Sequence, residues 1–303
     1  MITAQQKGTA TIYATQSSQR AKWVIEAAPN PGIADSKPYP KTDPKPDPTS
    51  VPDDSDLNST EKLVARTYRV TLGREPDEEG FNFWANRLQN GMMTGADLMK
   101  AFLLSAEFEQ GGHSSQEYVT KVYQAMLGRD PDADGLAYWV SCLDGGVSKT
   151  AVIRGFINSA EFGALCQAAG IQPGDLPITE PRDQRMDLTR FINRLYLHVL
   201  SRPGEADGLN FWCAKGLDEG YTAYQLAEKF VFSDEFVSRG YSNEDYVAVL
   251  YRAFMGREPE PSGFRYWVDE LDANSRDRRA VFEDFVRSEE FGNISANFGV
   301  RLM

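Results

Sequence analysis

Three sets of side chains in this sequence have types and spacings suited to chemistry. The first is acidic. Asp130-x-Asp132-x-Asp134-Gly135 carries the alternating carboxylates that open a calcium loop, where a hard cation takes oxygen ligands. The twelfth position of such a loop, which should hold a bidentate Glu, is Ser141. The matching acids elsewhere are Glu75, Asp77 and Glu79, then Glu205 and Asp207, then Glu258 and Glu260. Calcium on Asp130, Asp132 and Asp134 is thus one reading and the sole cofactor candidate. The competing role is capping a following helix and meeting its dipole. The second set is Arg74, Arg129, Arg202 and Arg257. A guanidinium fork holds a carboxylate bidentately. With Asp77 and Asp132 these arginines form a candidate glycan-binding set, directed at sugar hydroxyls. Their other reading is a structural ion pair with Glu107, Glu161, Glu235 and Glu290. The third set is Trp84, Trp139, Trp212 and Trp267, able to stack on sugar rings but placed at apolar helical positions, where a core role is commoner. Composition leaves a glycosidase-like carboxylate pair open. That chemistry needs two acids in distinct environments, and a repeat makes environments alike. The expectation is a protein that is not an enzyme.

Composition narrows the partners. The 303 residues carry a formal net charge of -12, which argues against nucleic acid, because a phosphate backbone needs a basic footprint. Hydrophobic residues at 41% are enough for a real core. No run of about 18 apolar residues predicts a transmembrane helix, so membrane insertion is not expected. The first residues, Met1 to Lys7, lack the apolar stretch of a secretory signal peptide. Three cysteines make no disulfide framework; Cys142 and Cys166 are a conceivable pair, and Cys213 has no mate. Buried free thiols are the default. HExxH, CxxC, GxxxxGK[ST] and GxSxG motifs do not occur.

The elements that would position these residues are repeated. The four tryptophans are 55, 73 and 55 residues apart, and Gly73-Arg74, Gly128-Arg129, Ser201-Arg202 and Gly256-Arg257 keep the same steps. A closing signature recurs as Ser105 to Phe108, Ser159 to Phe162, Ser233 to Phe236 and Ser288 to Phe291. The pattern is two pairs of units of about 55 residues. Each unit reads as about three helices. In the second, Ser114 and Glu117 form a capping box, and Tyr118, Val119, Val122, Tyr123, Met126 and Leu127 line one helical face. Gly128 stops that helix. Asp132 caps the next, and Thr94, Ser148, Thr222 and Asp277 cap the third helices. A single unit buries too little surface alone, so each pair is expected to share a core. The expected domains are residues 57–169 and 187–303, joined by a linker, 170–186, that could flex.

The first fifth differs. Eight of 16 prolines fall between Pro29 and Pro52, predicting an extended spacer over 36–56. Before it, Thr9 to Thr15 and Ala21 to Ala27 read as strands around a polar turn, Gln16 to Arg20. An isolated hairpin is marginal in water. Residues 1–35 are therefore read as a segment that docks on other chains of a larger assembly through Ile12, Tyr13, Trp23, Val24 and Ile25, adding strands to a partner sheet. The alternative is a segment folded back on the helices.

Gly128-Arg129-Asp130-Pro131-Asp132-Ala133-Asp134-Gly135-Leu136-Ala137-Tyr138-Trp139, followed by Ser159 to Phe162, resembles the DUF4214 family. Gly73 to Trp84 matches nearly as well. The third unit departs, with Ser201 for the glycine and Pro203-Gly204-Glu205 for x-Pro-Asp; the fourth has Glu260 for the aspartate. The resemblance covers about residues 57–168 and 187–295. It extends more distantly to the α-helical phycobilisome linker domain. Such domains occur as non-catalytic modules in large bacterial surface and type I secreted proteins, in some glycosyltransferases and in phage proteins. The resemblance implies a mainly α fold and a role in attachment, glycan contact or scaffolding. The resulting expectation is a structural attachment protein of a phage virion, as a tail, fibre or capsid appendage. Its N-terminus would be anchored and its repeats displayed toward a cell-surface glycan. A secreted bacterial glycan-binding adhesin, extracellular by type I secretion, is the alternative.

Overall fold

The computed structural model describes residues 55–303 and, before them, only the backbone of three strands. The chain divides into two units, Met1–Pro46 and Asp47–Met303, each considered by itself. In the first, β1 (Ala4–Gln5), β2 (Thr9–Gln16) and β3 (Gln19–Glu26) form an antiparallel sheet in that order, with Thr9 opposite Glu26 and Gln16 opposite Gln19. The side chains of Ile12, Tyr13, Trp23, Val24 and Ile25, and the proline-rich spacer up to Asp54, lie outside the described residues.

Residues 55–303 are mainly helical, in four units on one plan. The first holds α1 (Ser59–Leu72), α2 (Glu78–Gln89), α3 (Gly95–Leu103) and the short α4 (Ala106–Glu109). The second holds α5 (Ser115–Val122), continued by a π turn over Tyr123–Leu127, then α6 (Ala133–Asp144), α7 (Lys149–Ile157) and α8 (Ala160–Ala168). After the connecting α9 (Pro181–Gln184), the third holds α10 (Met186–Val199), α11 (Ala206–Asp218), α12 (Ala223–Val231) and α13 (Asp234–Val237). The fourth holds α14 (Asn243–Leu250) with a π turn over Tyr251–Met255, then α15 (Pro261–Asp272), α16 (Arg278–Val286) and α17 (Glu289–Asn297).

The caps explain the boundaries. Thr94, Ser148, Thr222 and Asp277 each accept a bond from the backbone three residues on, satisfying one of the orphan amides of a helix start. The closing signature starts a fourth helix that the three-helix expectation lacked. Ser105, Ser159, Ser233 and Ser288 accept from Phe108, Phe162, Phe236 and Phe291 at 3.1–3.2 Å. Those phenylalanine rings are buried. Gly73, Gly128 and Gly256 end the first helices at φ of 65°, 69° and 67°, where a Cβ is strained.

Each pair has one core, built of residues between Leu57 and Leu176 in one and between Leu188 and Val300 in the other. A half-buried arginine joins the units of a pair. Arg66 of α1 donates to the Ala125 and Met126 carbonyls at 3.1 and 3.2 Å, and Arg194 of α10 to those of Arg252 and Ala253 at 3.1 and 2.9 Å. These carbonyls belong to the last turn of a helix, where no intrahelical partner remains. Each pair is also closed by its own tail. The Gln172 and Pro173 carbonyls accept from the first amides of α3, and those of Arg301 and Leu302 from the first amides of α12, all at 2.8–3.0 Å.

The connection between the pairs is packed rather than loose. Buried Asp183 of α9 accepts from Ser148 N at 2.9 Å and Ser148 Oγ at 2.6 Å, at the N-terminus of α7. Arg182 donates to Gly146 O, and Asn193 of α10 to Asp144 O at 3.0 Å. The Arg190 guanidinium lies 5.8 Å from the Tyr138 ring of the first pair and 5.4 Å from Phe298 of the second.

Candidate functional site

The Gly-Arg loop of each unit is a small closed assembly. Its arginine lies against a tyrosine of the unit's first helix, Tyr68, Tyr123, Tyr196 or Tyr251, with Cζ 5.4, 5.1, 5.0 and 5.1 Å from the ring centroids. It also meets the glutamate of the closing signature. Arg129 grips Glu161 through Nε at 2.6 Å and Nη2 at 2.8 Å, and Arg202 grips Glu235 at 2.8 Å through both. Arg74 reaches Glu107 at 3.3 Å and Arg257 reaches Glu290 at 3.8 Å. Nη1 of Arg129 and of Arg202 turns to the backbone oxygen of Asp130 and of Pro203. The pairing raises the Arg129 and Arg202 pKa values, chiefly through the bond to Glu161 and Glu235, and lowers those glutamates. The pairs are solvent-exposed, so each contributes little to stability. For Arg129 and Arg202 the fork is already occupied by the chain's own acceptors.

The acids of the loop are divided among separate tasks. Asp77 and Asp132 accept from Gly80 N and Gly135 N at 2.8 Å and so cap α2 and α6. That bond is the first cause of the lowered Asp132 pKa. Asp130 accepts from Gln124 Nε2 at 2.7 Å. Asp134 lies in the first turn of α6. Among the described residues no group of three His, Cys, Asp or Glu side chains could hold a metal ion, so the structure does not gather Asp130, Asp132 and Asp134 into a site. In the last two units Glu205 and Glu260 stand at the cap position without a side-chain cap bond, and Glu260 instead pairs with Arg257.

The loop tyrosines were not singled out from sequence, although they share the 55, 73 and 55 steps. They explain the second glycine of the motif. A Cβ on Gly80, Gly135, Gly208 or Gly263 would come within 2.2–2.5 Å of the hydroxyl of Tyr68, Tyr123, Tyr196 or Tyr251. Each tyrosine meets a third-helix phenylalanine, Phe102, Phe156, Phe230 or Phe285, at 4.7–5.1 Å. The four tryptophans lean on the same phenylalanines at 5.1–5.5 Å. Trp84 is buried, and Trp139, Trp212 and Trp267 pack partly buried against the cores.

The aromatic residue before each tryptophan behaves oppositely. Phe83, Tyr138, Phe211 and Tyr266 are 38%, 42%, 53% and 51% exposed. Each meets its neighbouring tryptophan edge-on at 5.0–5.3 Å. Cations lie near three of them: Arg87 at 4.4 Å from the Phe83 ring, Lys215 at 5.5 Å from Phe211, and Arg190 at Tyr138.

Cys142, Cys166 and Cys213 are free and buried. Burial pushes Cys166 and Cys213 up to about 11, away from thiolate chemistry. No described helix is long and apolar enough to cross a membrane.

Fold and loop together define a helical repeat module whose recurring charged residues serve its own architecture. Residues 55–112, 99–166 and 227–294 match the family described as Domain of unknown function (DUF4214). The matches cover more than half of the chain, which belongs to this family. They pass over most of the third unit, where Ser201 and Pro203-Gly204-Glu205 break the motif. Comparison with curated protein sequences gives no match.

Proposed function

We propose that this chain is a non-enzymatic attachment protein. Residues 1–35 anchor it in a larger assembly of other chains, and the helical repeats meet a surface, including its glycans. The observation that supports this reading is the contrast within each unit. The arginine, glutamate and tyrosine are turned to internal bonds, while one aromatic ring at the same position in all four units stays about half exposed. A large exposed ring is unremarkable once, but recurrence at equivalent positions on a packed scaffold suits display. The setting we propose is a phage virion, as a tail, fibre or capsid appendage. The test has two arms. Labelled full-length chain is incubated with intact bacterial cells, and purified virions from the same source are analysed by mass spectrometry. Saturable cell binding and a stoichiometric copy number in particles are expected. Cell binding with the chain found only in culture supernatant would replace the virion by a secreted adhesin. No saturable cell binding would overturn the attachment reading.

A further inference from the structure

The exposed rings have recurring polar company. One turn earlier on the same helix stand Glu79, Asp134, Asp207 and Ser262, in step with Phe83, Tyr138, Phe211 and Tyr266. Residues four apart are neighbours on a helix surface. All four of these polar side chains are exposed. Each unit therefore presents an apolar ring face beside a side-chain oxygen that accepts hydrogen bonds. The residue directly after each acceptor is the glycine that admits the loop tyrosine, so acceptor and ring keep the same place relative to that tyrosine in all four units.

We propose that these four ring-and-acceptor positions are stacking subsites for uncharged sugar residues of a polysaccharide. This deepens the attachment reading and rests on it. A pyranose has an apolar C–H face and a rim of hydroxyls. The ring takes the face, and the carboxylate of Glu79, Asp134 or Asp207, or the Ser262 hydroxyl, accepts from the rim; hydrogen bonds to an ionised acceptor are the stronger kind. Arg87 and Lys215 lie over one face of the Phe83 and Phe211 rings and add donors next to a sugar stacked on the other face. A protein partner would want a contiguous desolvated apolar centre. Here each ring stands among exposed polar residues, such as Asn82 and Asn86 at Phe83, or Arg265 and Asp269 at Tyr266. The net charge of -12 and the acid beside three of the rings oppose an anionic polysaccharide. Four weak subsites on one chain gain through effective concentration on a repeating ligand. The proposal moves sugar contact from the loop arginines to the outer face of the second helices.

Affinity electrophoresis of the full-length chain in gels containing dextran, a linear β-glucan, galactan or hyaluronan tests this. Retardation by at least one uncharged polymer and not by hyaluronan is expected. Removing all four rings (F83A, Y138A, F211A and Y266A together) should weaken it about 100-fold. The single changes F211A and Y266A, at the most exposed rings, should each cost about two- to tenfold and exceed F83A. Circular dichroism should be little changed, since none of the four rings belongs to either core. Arg129→Ala should leave retardation intact. Retardation by hyaluronan alone, by no polymer, or unaltered in the quadruple variant would each overturn the proposal. In the last case, or if cells still bind without any polymer doing so, the attachment reading survives with its contact elsewhere.

Discussion

In the first pair of units the second helices begin at Asp77 and Asp132, whose carboxylates cap the Gly80 and Gly135 amides. In the second pair the same positions hold Glu205 and Glu260, one methylene longer, and neither makes that bond. The first pair ends both its first helices on glycine at positive φ, whereas the second has Ser201 at φ 50° in one of them. Other contacts are the same in both pairs: a half-buried arginine on helix-end carbonyls, a tyrosine–phenylalanine–tryptophan cluster, and an arginine–glutamate pair over the loop. The difference separates what carries the fold from what decorates it. Contacts that join elements distant in sequence recur in both pairs. Local caps, worth about 1 kcal/mol, have been exchanged.

The strongest way to break this comparison is at the shared arginines. Arg66→Ala and Arg194→Ala each leave two helix-end carbonyls without their donor. Each should cost about 2–3 kcal/mol, read as a lowered urea midpoint at constant slope. Similar losses are expected in both pairs; a loss in one alone would mean that the pairs are not built on one plan. Next in size is the junction. Asp183→Ala removes two charge-assisted bonds to Ser148 and should cost about 2 kcal/mol. It should also turn one thermal transition into two by calorimetry. A transition that stays single and unshifted would mean that Asp183 does not couple the pairs.

The caps sharpen the comparison on a smaller scale. Asp132→Ala should lower the urea midpoint, and Glu205→Ala should leave it close to unchanged, because only the first removes a cap. Equal effects would sink the distinction between the pairs. Ser201→Gly should stabilise the second pair by about 0.5–1 kcal/mol, the balance between relief of a left-handed Cβ and the extra freedom of an unfolded glycine. A lower melting temperature in that variant would show that Ser201 makes a contact outweighing its backbone strain.

Much of this was legible in the sequence because the repeat supplied its own controls. The helices, the caps at Thr94, Ser148, Thr222 and Asp277, and the pairing of Arg129 with Glu161 follow from residues that keep step. Ser-x-Glu-Phe was legible as a signature but not as a helix, because four residues are too few to show a period. By sequence alone Tyr123 is one more apolar residue on a helical face. Only the close approach of its hydroxyl to Gly135 shows why that glycine recurs. The connection at 170–186 carries loop-like residues and by sequence reads as a linker that could flex. Its packing depends on Asp183 finding Ser148, 35 residues away, and no local pattern encodes that bond. The outward turn of Phe83, Tyr138, Phe211 and Tyr266 was hidden for a related reason: each adjoins a tryptophan on the same helix, and only packing shows which of the two rings turns inward.

Acid gives the finest comparison, since His198 has Val70 at its counterpart in the first pair. Burial, then the Arg194 and Arg252 charges, lower the His198 pKa below its ordinary value. The unfolded chain, with a histidine near about 6.5, then binds more protons than the folded one. The stability this histidine confers is full above that value and falls as pH drops through the lower folded pKa. Glu161 and Glu235 act further down. Their folded values are depressed by Arg129 and Arg202, so their contribution holds above the unfolded carboxylate range and fades as pH falls through the depressed values. These carboxylates are exposed and one lies in each pair, so their loss should be small and shared. Between pH 7.5 and 5 the second pair should therefore weaken first. His198→Val, which copies the first pair, should flatten that decline in urea midpoints measured across the range. Parallel pH profiles for the wild type and His198→Val would remove His198 as the cause.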